Sequence, residues 1–317
     1  MFEDLKAQYR QSLKSMDTEE HIDLFFYRPL GFLWANLFRK LGVSPNAITI
    51  MSIFLGIGAG ILFYFPKLWI NCIGMLLLIW ANTYDSADGQ LARMTKQYSA
   101  IGRILDGLSG DIWFFTIYFC ICLREMTFSP FFSEHPWLIW VIAALAGACH
   151  AKQAAMADYY RQFHLYFLKG KDGSELDRAA EQKKIYESLS WKKNFFRKLT
   201  QLFYWKYTVN QEAMTPAMQR LRREIAHRWP DGDIDPAFAG KFREASLPLM
   251  KFTNILSFNW RSIALFLSLF LGQPWLYFIF ELVIFNGLLL YMMYRHEAIC
   301  RRLARELNRE SHEHHTR

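Results

Sequence analysis

Six stretches of this 317-residue chain are apolar over the length that a helix needs to cross a lipid bilayer. The composition is 52% hydrophobic and 17% aromatic, which is more apolar material than a single soluble core buries. Because 21% of the residues are charged, the apolar and charged residues must be segregated. We therefore expect an all-α, polytopic membrane protein with six transmembrane helices. The predicted spans are Ile48–Phe65, Leu68–Tyr84, Ile101–Leu123, Trp137–Ala157, Asn254–Leu271 and Pro274–Tyr294.

Lysine and arginine are distributed unevenly around these spans. The chain carries 6 of them before Ile48, 18 in residues 161–251 and 6 from Arg295 onward, whereas the opposite side holds Lys67 and Arg124. Positive residues concentrate on the cytoplasmic side of membrane proteins. Both termini and residues 161–251 are therefore predicted to be cytoplasmic. The net charge of +8 indicates contact with an anionic membrane surface and not with nucleic acid, because the basic residues cluster beside apolar spans.

The spans divide the chain into five predicted segments. Residues 1–47 are a cytoplasmic N-terminus that contains "HIDLFFYRPLGFLWANLFRKLG", whose mixture of aromatic, aliphatic and basic residues predicts an amphipathic helix lying in the membrane interface. Residues 48–160 hold transmembrane helices 1–4, residues 161–252 a cytoplasmic basic helical insert, residues 253–295 helices 5–6, and residues 296–317 a cytoplasmic tail. The insert is expected to rest on the bilayer surface.

Four aspartates lie where the second and third spans approach each other, in "YDSADGQLARMTKQYSAIGRILDGLSGD" (84–111). Asp85 and Asp88 are three residues apart and therefore share one face of a helix. Two carboxylates at that spacing repel each other at low dielectric, so a divalent cation with oxygen ligands is the expected partner. The link to the next helix is short, which brings Asp106 towards the pair. We predict a site for Mg²⁺ or Mn²⁺ at the cytoplasmic membrane surface.

Small residues and cations are interleaved with these carboxylates. Gly89 and Ala92 carry almost no side chain, so a ligand can approach the helix closely there. Arg93 supplies a fixed cation suited to phosphate, and Arg103, about one turn before Asp106, is a second candidate. Charged residues that merely cap helix ends would not account for this spacing. The pattern therefore indicates a metal–phosphate pocket.

The same stretch resembles the CDP-alcohol phosphotransferase motif, D-x2-D-G-x2-A-R-x8-G-x3-D-x3-D. The sequence "SPNAIT" at 44–49, before the first span, also looks like this family. The resemblance implies a membrane enzyme that breaks the phosphoanhydride of a CDP-linked alcohol, transfers the substituted phosphate to an acceptor hydroxyl and releases CMP. A homodimer is implied by the resemblance alone. Seven motif positions match in turn: Asp85, Asp88, Gly89, Ala92, Arg93, Gly102 and Asp106.

One motif position departs from the family pattern. Gly110 stands where the family has its fourth aspartate, a metal ligand and general base, and an aspartate follows one residue later as Asp111. A step of five residues from Asp106 turns about 140° around a regular helix, whereas a step of four turns about 40°. We expect a one-residue bulge beside Gly107 and Gly110 to bring Asp111 inward as ligand and base. The alternatives are a different base, with His150 first, or a degenerate site.

Polar residues near the cytoplasmic end of the fourth span are candidates for the acceptor pocket. They are not expected to face one way, because Lys152 lies on a different helix face from His150 and Gln153. A lysine that extends to the interface and a histidine satisfied within the bundle are the structural alternative. The candidates are His150, Lys152, Gln153 and Arg161.

The residues leave the substrates open. The cations Arg103, Lys152 and Arg161 favour CDP-diacylglycerol as donor and a phosphate-bearing alcohol such as inositol phosphate as acceptor. The alternative is transfer from CDP-choline or CDP-ethanolamine to the hydroxyl of diacylglycerol or ceramide. The displaced fourth aspartate keeps a non-catalytic membrane scaffold as a second alternative. A cation transporter is disfavoured because the carboxylates lie at one membrane face and not at the midplane.

Overall fold

The computed structural model describes residues 9, 15, 17–97, 100–170, 174 and 176–315; the side chains at 100, 101, 103, 104 and 310–315 lie outside this description. The described chain is helical and divides into two compact units. The first unit comprises Met1–His150 with Phe258–Ile284, and the second comprises Ala151–Ser257 with Phe285–Arg317.

Helices of the first unit carry the predicted motif. A π-helical turn, Asp23–Tyr27, leads directly into the first α-helix. The sixth helix, α6, continues beyond this unit, and a π-helical segment, Phe280–Phe285, follows α12. The helices are α1 (Arg28–Leu41), α2 (Pro45–Phe63), α3 (Leu68–Thr95), α4 (Ala100–Phe128), α5 (Pro130–Glu134), α6 (Pro136–Lys169), α11 (Phe258–Phe270) and α12 (Leu276–Ile279), with α7–α10 defined below.

The turn between α1 and α2 is determined by three consecutive sequence signals. Gly42 adopts φ 70°, the left-handed conformation that ends a helix, and its amide donates to the Arg39 carbonyl. Ser44 then caps α2 by accepting the Ala47 amide at 3.4 Å, with Pro45 at the first helical position. This arrangement fixes where α2 begins relative to α1.

Helix α2 packs against both α3 and α4, and glycines make the close approach possible. A Cβ atom at Gly56 would stand 2.0 Å from the indole of Trp113 on α4, and one at Gly60 would stand 2.9 Å from Thr116. On the α3 side, a Cβ at Gly74 would stand 2.7 Å from Phe63. Side chains larger than hydrogen would therefore force these helices apart.

Hydrogen bonds of Asn71 and Arg124, here called the polar clasp, join α2, α3 and α4 at the ends that lie farthest from the aspartates. Asn71 donates to the carbonyls of Leu62 and Phe65 at 3.1 and 2.9 Å, which satisfies the C-terminal end of α2. Arg124 on α4 donates to the Phe63 carbonyl at 3.0 Å and to the Asn71 side-chain oxygen at 2.9 Å. These hydrogen bonds join α2, α3 and α4 at a point where Arg124 is only 5% exposed.

The second unit contains the insert and the last helix. The helices are α7 (Ala179–Ser188), α8 (Phe195–Ala213), α9 (Pro216–Arg228), α10 (Pro236–Ile255) and α13 (Asn286–His315). Glu297, on α13, accepts from the Ala217 and Met218 amides at 2.7 and 3.1 Å and so caps α9. His164 Nδ1 lies 2.7 Å from Ser246 Oγ, which joins α6 to α10.

The described helices agree in part with the predicted spans. Four stretches are long and apolar enough to cross a membrane, and they contain most or all of the predicted first, third, fourth and sixth spans. The second predicted span begins α3, whose composition is less apolar. These helices support an integral multi-pass membrane protein. The four stretches are Pro45–Phe63, Leu105–Phe128, Pro136–Lys169 and Leu276–Arg309.

The fifth predicted span is not one helix. Residues 254–271 comprise the end of α10, a break at Leu256 and Ser257, and the 13-residue helix α11. At the break, both the amide and the hydroxyl of Ser257 donate to the Asn254 carbonyl. This local bonding competes with continuation of the helix, which the apolar composition alone did not indicate.

Candidate functional site

Three carboxylates from two helices meet at one end of the first unit. Asp85 and Asp88 lie on α3 and Asp106 lies on α4, and each offers an oxygen within 4.8 Å of the others. The prediction that the short link would bring Asp106 to the other two is confirmed. Asp88 is buried, Asp85 is partly buried and Asp106 is exposed, so the group has a buried side and an open side.

Asp88 is held by the start of α2. Because Ser44 and Pro45 fix the first turn, Thr49 faces α3, and its hydroxyl makes a short hydrogen bond to Asp88 Oδ2. The same hydroxyl also lies 3.2 Å from the Pro45 carbonyl. The backbone of Gly89 supplies a further hydrogen bond to the carboxylate. Thr49 is 2% exposed and Asp88 is 3% exposed, so water does not substitute for these donors.

Ser109 joins the two helices at the site. Its hydroxyl lies 2.8 Å from Asp85 Oδ1 and 2.8 Å from the backbone carbonyl of Asp106. Arg28, at the start of α1, lies 3.4 Å from Ser86 Oγ, and its positive charge acts on Asp85. The first helix therefore contributes to the electrostatics of the site as well as to the packing behind it.

The surroundings of Asp85 and Asp88 disfavour the negative charge of both carboxylates. Asp85 and Asp88 lie just beyond the predicted span that ends at Tyr84. Burial, and then the charge of Asp106, raise the pKa of Asp85 to about 7. Burial, followed by the charges of Asp85 and Asp106, raises the pKa of Asp88 well above its usual range, against the opposing effect of Thr49.

The donor set fits a hard divalent cation. It consists of carboxylate oxygens, which Mg²⁺ and Mn²⁺ prefer, and no sulfur or imidazole ligand is part of the group. The three oxygens lie within 4.8 Å of one another, near enough for one cation to be shared. A cation at this position would offset the burial and the mutual repulsion that raise the pKa values of Asp85 and Asp88.

The predicted phosphate contacts lie on the same helices. The guanidinium of Arg93 lies over Gly89, because a Cβ atom added at Gly89 would stand 3.4 Å from Arg93 Nη1. Ala92 is on the same turn of α3, and Gly102 is about one turn before Asp106 on α4; both are partly buried. The side chain of Arg103 lies outside the described part of the chain.

Asp111 is not among the three clustered carboxylates. Helix α4 is α-helical from Ala100 to Phe128, so the bulge expected beside Gly107 and Gly110 is absent. Without it, Asp111 points about 140° away from Asp106 around the helix. A Cβ atom at either glycine would meet no neighbouring heavy atom within 4 Å, so the packing there imposes no bulge.

His150 belongs to a buried polar network near Asp111. Its Nδ1 lies 3.3 Å from Glu281 Oε1 and 3.0 Å from Arg261 Nη1. Arg261 Nη1 in turn donates to both oxygens of Glu281, at 2.6 and 2.5 Å, and Tyr277 donates to Glu281 Oε1 at 2.5 Å. Glu281 and Arg261 are 0% and 2% exposed. Asp111 and His150 are close enough to interact electrostatically.

The other predicted acceptor residues lie in the second unit. Gln153 is fully buried and donates to Asn286 Oδ1 at 2.8 Å, and Arg161 donates to Asn254 Oδ1 at 3.3 Å. Lys152 is exposed. The assignment of these three residues to an acceptor pocket stays a prediction.

Several residues at or near the site were not recognised in the sequence. Thr49 is the last residue of "SPNAIT", and Ser109 follows Asp106 at helical spacing, but single hydroxyl residues carry little signal. Arg261 and Glu281 do carry one, because isolated charges within apolar stretches usually face the bundle interior. Arg28 was recognised as part of an amphipathic helix and not as a neighbour of Asp85.

Comparison with known proteins agrees with the geometry. Residues 42–161 match the sequence model of the CDP-alcohol phosphatidyltransferase family. A CDP-diacylglycerol–glycerol-3-phosphate 3-phosphatidyltransferase of Cereibacter sphaeroides is 28% identical over 96 residues, which is 30% of this chain and 40% of that protein. An uncharacterized protein of Aquifex aeolicus is 37% identical over 81 residues, 26% of this chain and 40% of that protein.

The matched region contains α2, α3, α4, α5 and most of α6, and therefore the whole carboxylate group. The chain spans about 40% of the length of each of these two relatives. The seven motif positions and the three clustered carboxylates lie within residues 42–161. Over these residues the chain is similar to the CDP-alcohol phosphatidyltransferase family.

Proposed function

We propose that this protein catalyses metal-dependent transfer of a substituted phosphate from a CDP-linked alcohol to an acceptor hydroxyl, with release of CMP. The observation that carries the proposal is the group formed by Asp85, Asp88 and Asp106, three carboxylates from two helices within 4.8 Å of one another. The group lies inside the region that matches the family and is open on the side of Asp106.

Asp85, Asp88 and Asp106 would hold the Mg²⁺ or Mn²⁺. The metal, when bound, would supply positive charge to the pyrophosphate of the donor and stabilise CMP as the leaving group. Thr49 and Ser109 orient two of the carboxylates through their hydroxyls, which limits the reorganisation that binding requires. The raised pKa values of Asp85 and Asp88 mean that protons must leave when a cation binds.

We assign phosphate and nucleotide contacts to Gly89, Ala92, Arg93, Gly102 and Arg103. The support is local: Arg93 lies over Gly89, so its guanidinium is one turn from Asp85 on the same helix. A planar guanidinium can donate two parallel hydrogen bonds to a phosphate. The small residues Gly89, Ala92 and Gly102 leave space for the nucleotide beside the two helices.

The acceptor hydroxyl must lose a proton, and Asp111 and His150 are the two candidate bases. Asp111 lies one turn and a half along α4 from Asp106 and outside the carboxylate group, so it would act without binding the metal. His150 is oriented by Glu281 and Arg261 and interacts electrostatically with Asp111. The two side chains therefore form one neighbourhood in which either could accept the proton.

We propose CDP-diacylglycerol as the donor and a phosphorylated polyol, such as glycerol phosphate or inositol phosphate, as the acceptor. The Cereibacter sphaeroides relative, whose name gives that donor and glycerol 3-phosphate, supports this choice. Transfer from CDP-choline or CDP-ethanolamine to diacylglycerol or ceramide is the second candidate. A scaffold without activity is the third, and the absence of Asp111 from the carboxylate group is the observation that favours it.

We also propose six membrane spans, with the first part of α3, Leu68–Tyr84, as the second and the region of α10 and α11, interrupted at Ser257, as the fifth. Both termini, the active site and the insert would then be cytoplasmic, as the distribution of Lys and Arg favours. Helix α1 would lie in the interface, since it buries Phe32 and Phe38 while exposing Leu33 and Leu37. A homodimer remains an expectation from the family resemblance.

The test is CMP release by the purified protein in lipid with Mn²⁺ or Mg²⁺. CDP-diacylglycerol, CDP-choline and CDP-ethanolamine would each be crossed with a panel of alcohols. Asp106→Asn, Asp111→Asn and His150→Gln would be assayed beside Asp231→Asn, which changes an exposed aspartate of the insert and serves as the matched control. We expect release with one donor–acceptor pair, its loss in Asp106→Asn, and no change in the control.

The two base candidates are distinguished by which variant loses activity. Loss of activity in Asp111→Asn with retention in His150→Gln would assign the base to Asp111, and the reverse would assign it to His150. Absence of CMP release across the whole panel, from protein that still binds Mn²⁺, would refute the catalytic proposal and leave the scaffold.

A further inference from the structure

The segment 190–206, which links α7 to α8 and forms the first part of α8, has an unusual charge balance. It contains five cations and no aspartate or glutamate: Lys192, Lys193, Arg197, Lys198 and Lys206. Lys198 donates to the Leu189 carbonyl at 2.6 Å and lies over the ring of Tyr186. Among the described residues, none of the five cations forms an ion pair with a carboxylate, so the segment presents uncompensated positive charge.

Aromatic side chains on the same segment fall into two sets. One set packs inward between α7 and α8, where Trp205 stacks on Tyr186 with ring centroids 5.5 Å apart. The other set faces outward: Phe196 is 80% exposed and Phe203 is 67% exposed. A separation of seven residues places Phe196 and Phe203 on one face of α8. Within the described part of the chain, the Phe196 and Phe203 side chains are therefore left largely uncovered.

A ligand for this face must be both anionic and able to take up phenylalanine rings. The boundary of an anionic bilayer meets both requirements, since its headgroups attract lysine and arginine while its acyl chains accept Phe side chains. Single-stranded nucleic acid could also stack on aromatic rings. The membrane is favoured because the hairpin follows α6, a helix apolar enough to cross a bilayer, after nine residues, 170–178, that extend at most about 30 Å.

We infer that the segment 190–206 is a membrane-binding surface, which inserts Phe196 and Phe203 below the headgroups and holds anionic lipids with its five cations. The inference does not depend on the catalytic activity proposed above. It gives the insert a specific role: the hairpin of α7 and α8 is anchored to the same bilayer as the spans, and the anchoring responds to the content of anionic lipid.

The test measures the depth of residue 196 in the full-length protein reconstituted into vesicles. Phe196→Cys would be labelled with a fluorophore, and Arg223→Cys, at an exposed position on α9, would be the matched position outside the segment. The five native cysteines are buried or partly buried, and labelling of the unaltered protein gives the background. Quenching by brominated phospholipid and by aqueous iodide would be compared in phosphatidylcholine with and without phosphatidylglycerol.

We expect the label at 196 to be quenched by brominated lipid and shielded from iodide when phosphatidylglycerol is present, and the label at 223 to remain accessible to iodide. Equal accessibility of residue 196 to iodide with and without anionic lipid would overturn the inference. Shielding by an added single-stranded RNA, without shielding by lipid, would also overturn it and would identify nucleic acid as the partner.

Paired charge variants separate a specific surface from a general effect of charge. Lys192→Gln with Lys193→Gln removes two cations of the segment, whereas Lys183→Gln with Lys184→Gln removes two from α7. Each cation near an anionic surface changes the binding equilibrium about fivefold. We expect the first pair to shift the equilibrium between shielded and exposed label by about 25-fold in a salt titration, and the second pair to leave it within about twofold. Equal shifts for both pairs would overturn the assignment to segment 190–206.

Discussion

Replacement of Thr49 by valine tests how the site holds its buried carboxylate. Valine has nearly the shape of threonine but lacks the hydroxyl that bonds Asp88 Oδ2, and both residues are almost fully buried. A hydrogen bond to an ionised group stabilises it by about 1.5–3 kcal/mol. Since about 1.4 kcal/mol is a factor of ten, the variant should bind Mn²⁺ about 10- to 100-fold more weakly.

The loss should fall mainly on the metal-bound state. In the metal-free protein the raised pKa of Asp88 allows the carboxyl to be protonated, and Thr49 can then donate to the Pro45 carbonyl, 3.2 Å away. A bound cation would require Asp88 to be ionised, and the Thr49 hydroxyl is placed to donate to that ionised carboxylate. Valine therefore removes a bond that the ionised form needs most.

Titration of the free Mn²⁺ signal by electron paramagnetic resonance measures this affinity without reference to catalysis. Thr49→Ser, which retains the hydroxyl, should bind Mn²⁺ nearly as the unaltered protein does, and Asp88→Asn should not bind at this site. If Thr49→Val binds within about twofold of the unaltered protein while Asp88→Asn does not bind, the hydroxyl does not support the ionised carboxylate, and the reasoning from burial is wrong.

Two further predictions follow from packing and from charge. Gly56→Ala should lower the free energy of unfolding by about 1–3 kcal/mol, because the added Cβ would stand 2.0 Å from Trp113. Thermal unfolding in detergent measures this effect. Gly58→Ala is the control: its Cβ would make only an ordinary contact at 3.6 Å, so it should be neutral or slightly stabilising, and equal effects of the two variants would contradict the packing argument. Mn²⁺ affinity should fall as the pH is lowered through about 7, by up to about tenfold per pH unit for each proton displaced. The reason is that the pKa values of Asp85 and Asp88 are raised, whereas the metal needs both carboxylates ionised. Calorimetry in two buffers of different ionisation enthalpy would count the protons released, and an affinity independent of pH would show that the carboxylates are already ionised.

The carboxylate group was predictable because its geometry follows from local rules. Asp85 and Asp88 are neighbours on any α-helix, and a short link forces the next helix to return beside them, so Asp106 had few other places to go. The expected inward placement of Asp111 depended on a bulge in α4, which local rules do not determine. A bulge changes a helix only when neighbouring packing stabilises it, and the open space beside Gly107 and Gly110 gives no such support.

Contacts between elements far apart in sequence were the least predictable. The bond from Thr49 to Asp88 depends on how α2 lies against α3, and the Arg261–Glu281 pair depends on the angle at which α11 meets the π-helical segment. Apolar composition also did not reveal that the fifth predicted span breaks at Ser257. In each case tertiary contacts or local side-chain bonding decided the outcome, and neither has a periodic signature in the sequence.

The polar clasp of Arg124 and Asn71 fixes one end of α4, so a small change of tilt there becomes a larger displacement at Asp106. Eighteen residues of α4 separate Arg124 from Asp106, a length of about 27 Å at 1.5 Å per residue. A change in tilt of about one degree at the clasp would move Asp106 by about 0.5 Å, which exceeds the tolerance of about 0.2 Å in metal–ligand distances. Arg124→Met should therefore weaken Mn²⁺ binding from the far side of the bundle, and an unchanged affinity would show that Ser109 alone keeps α3 and α4 in register. The geometry of the carboxylate group at one end of α3 and α4 would then depend on hydrogen bonds at their other end.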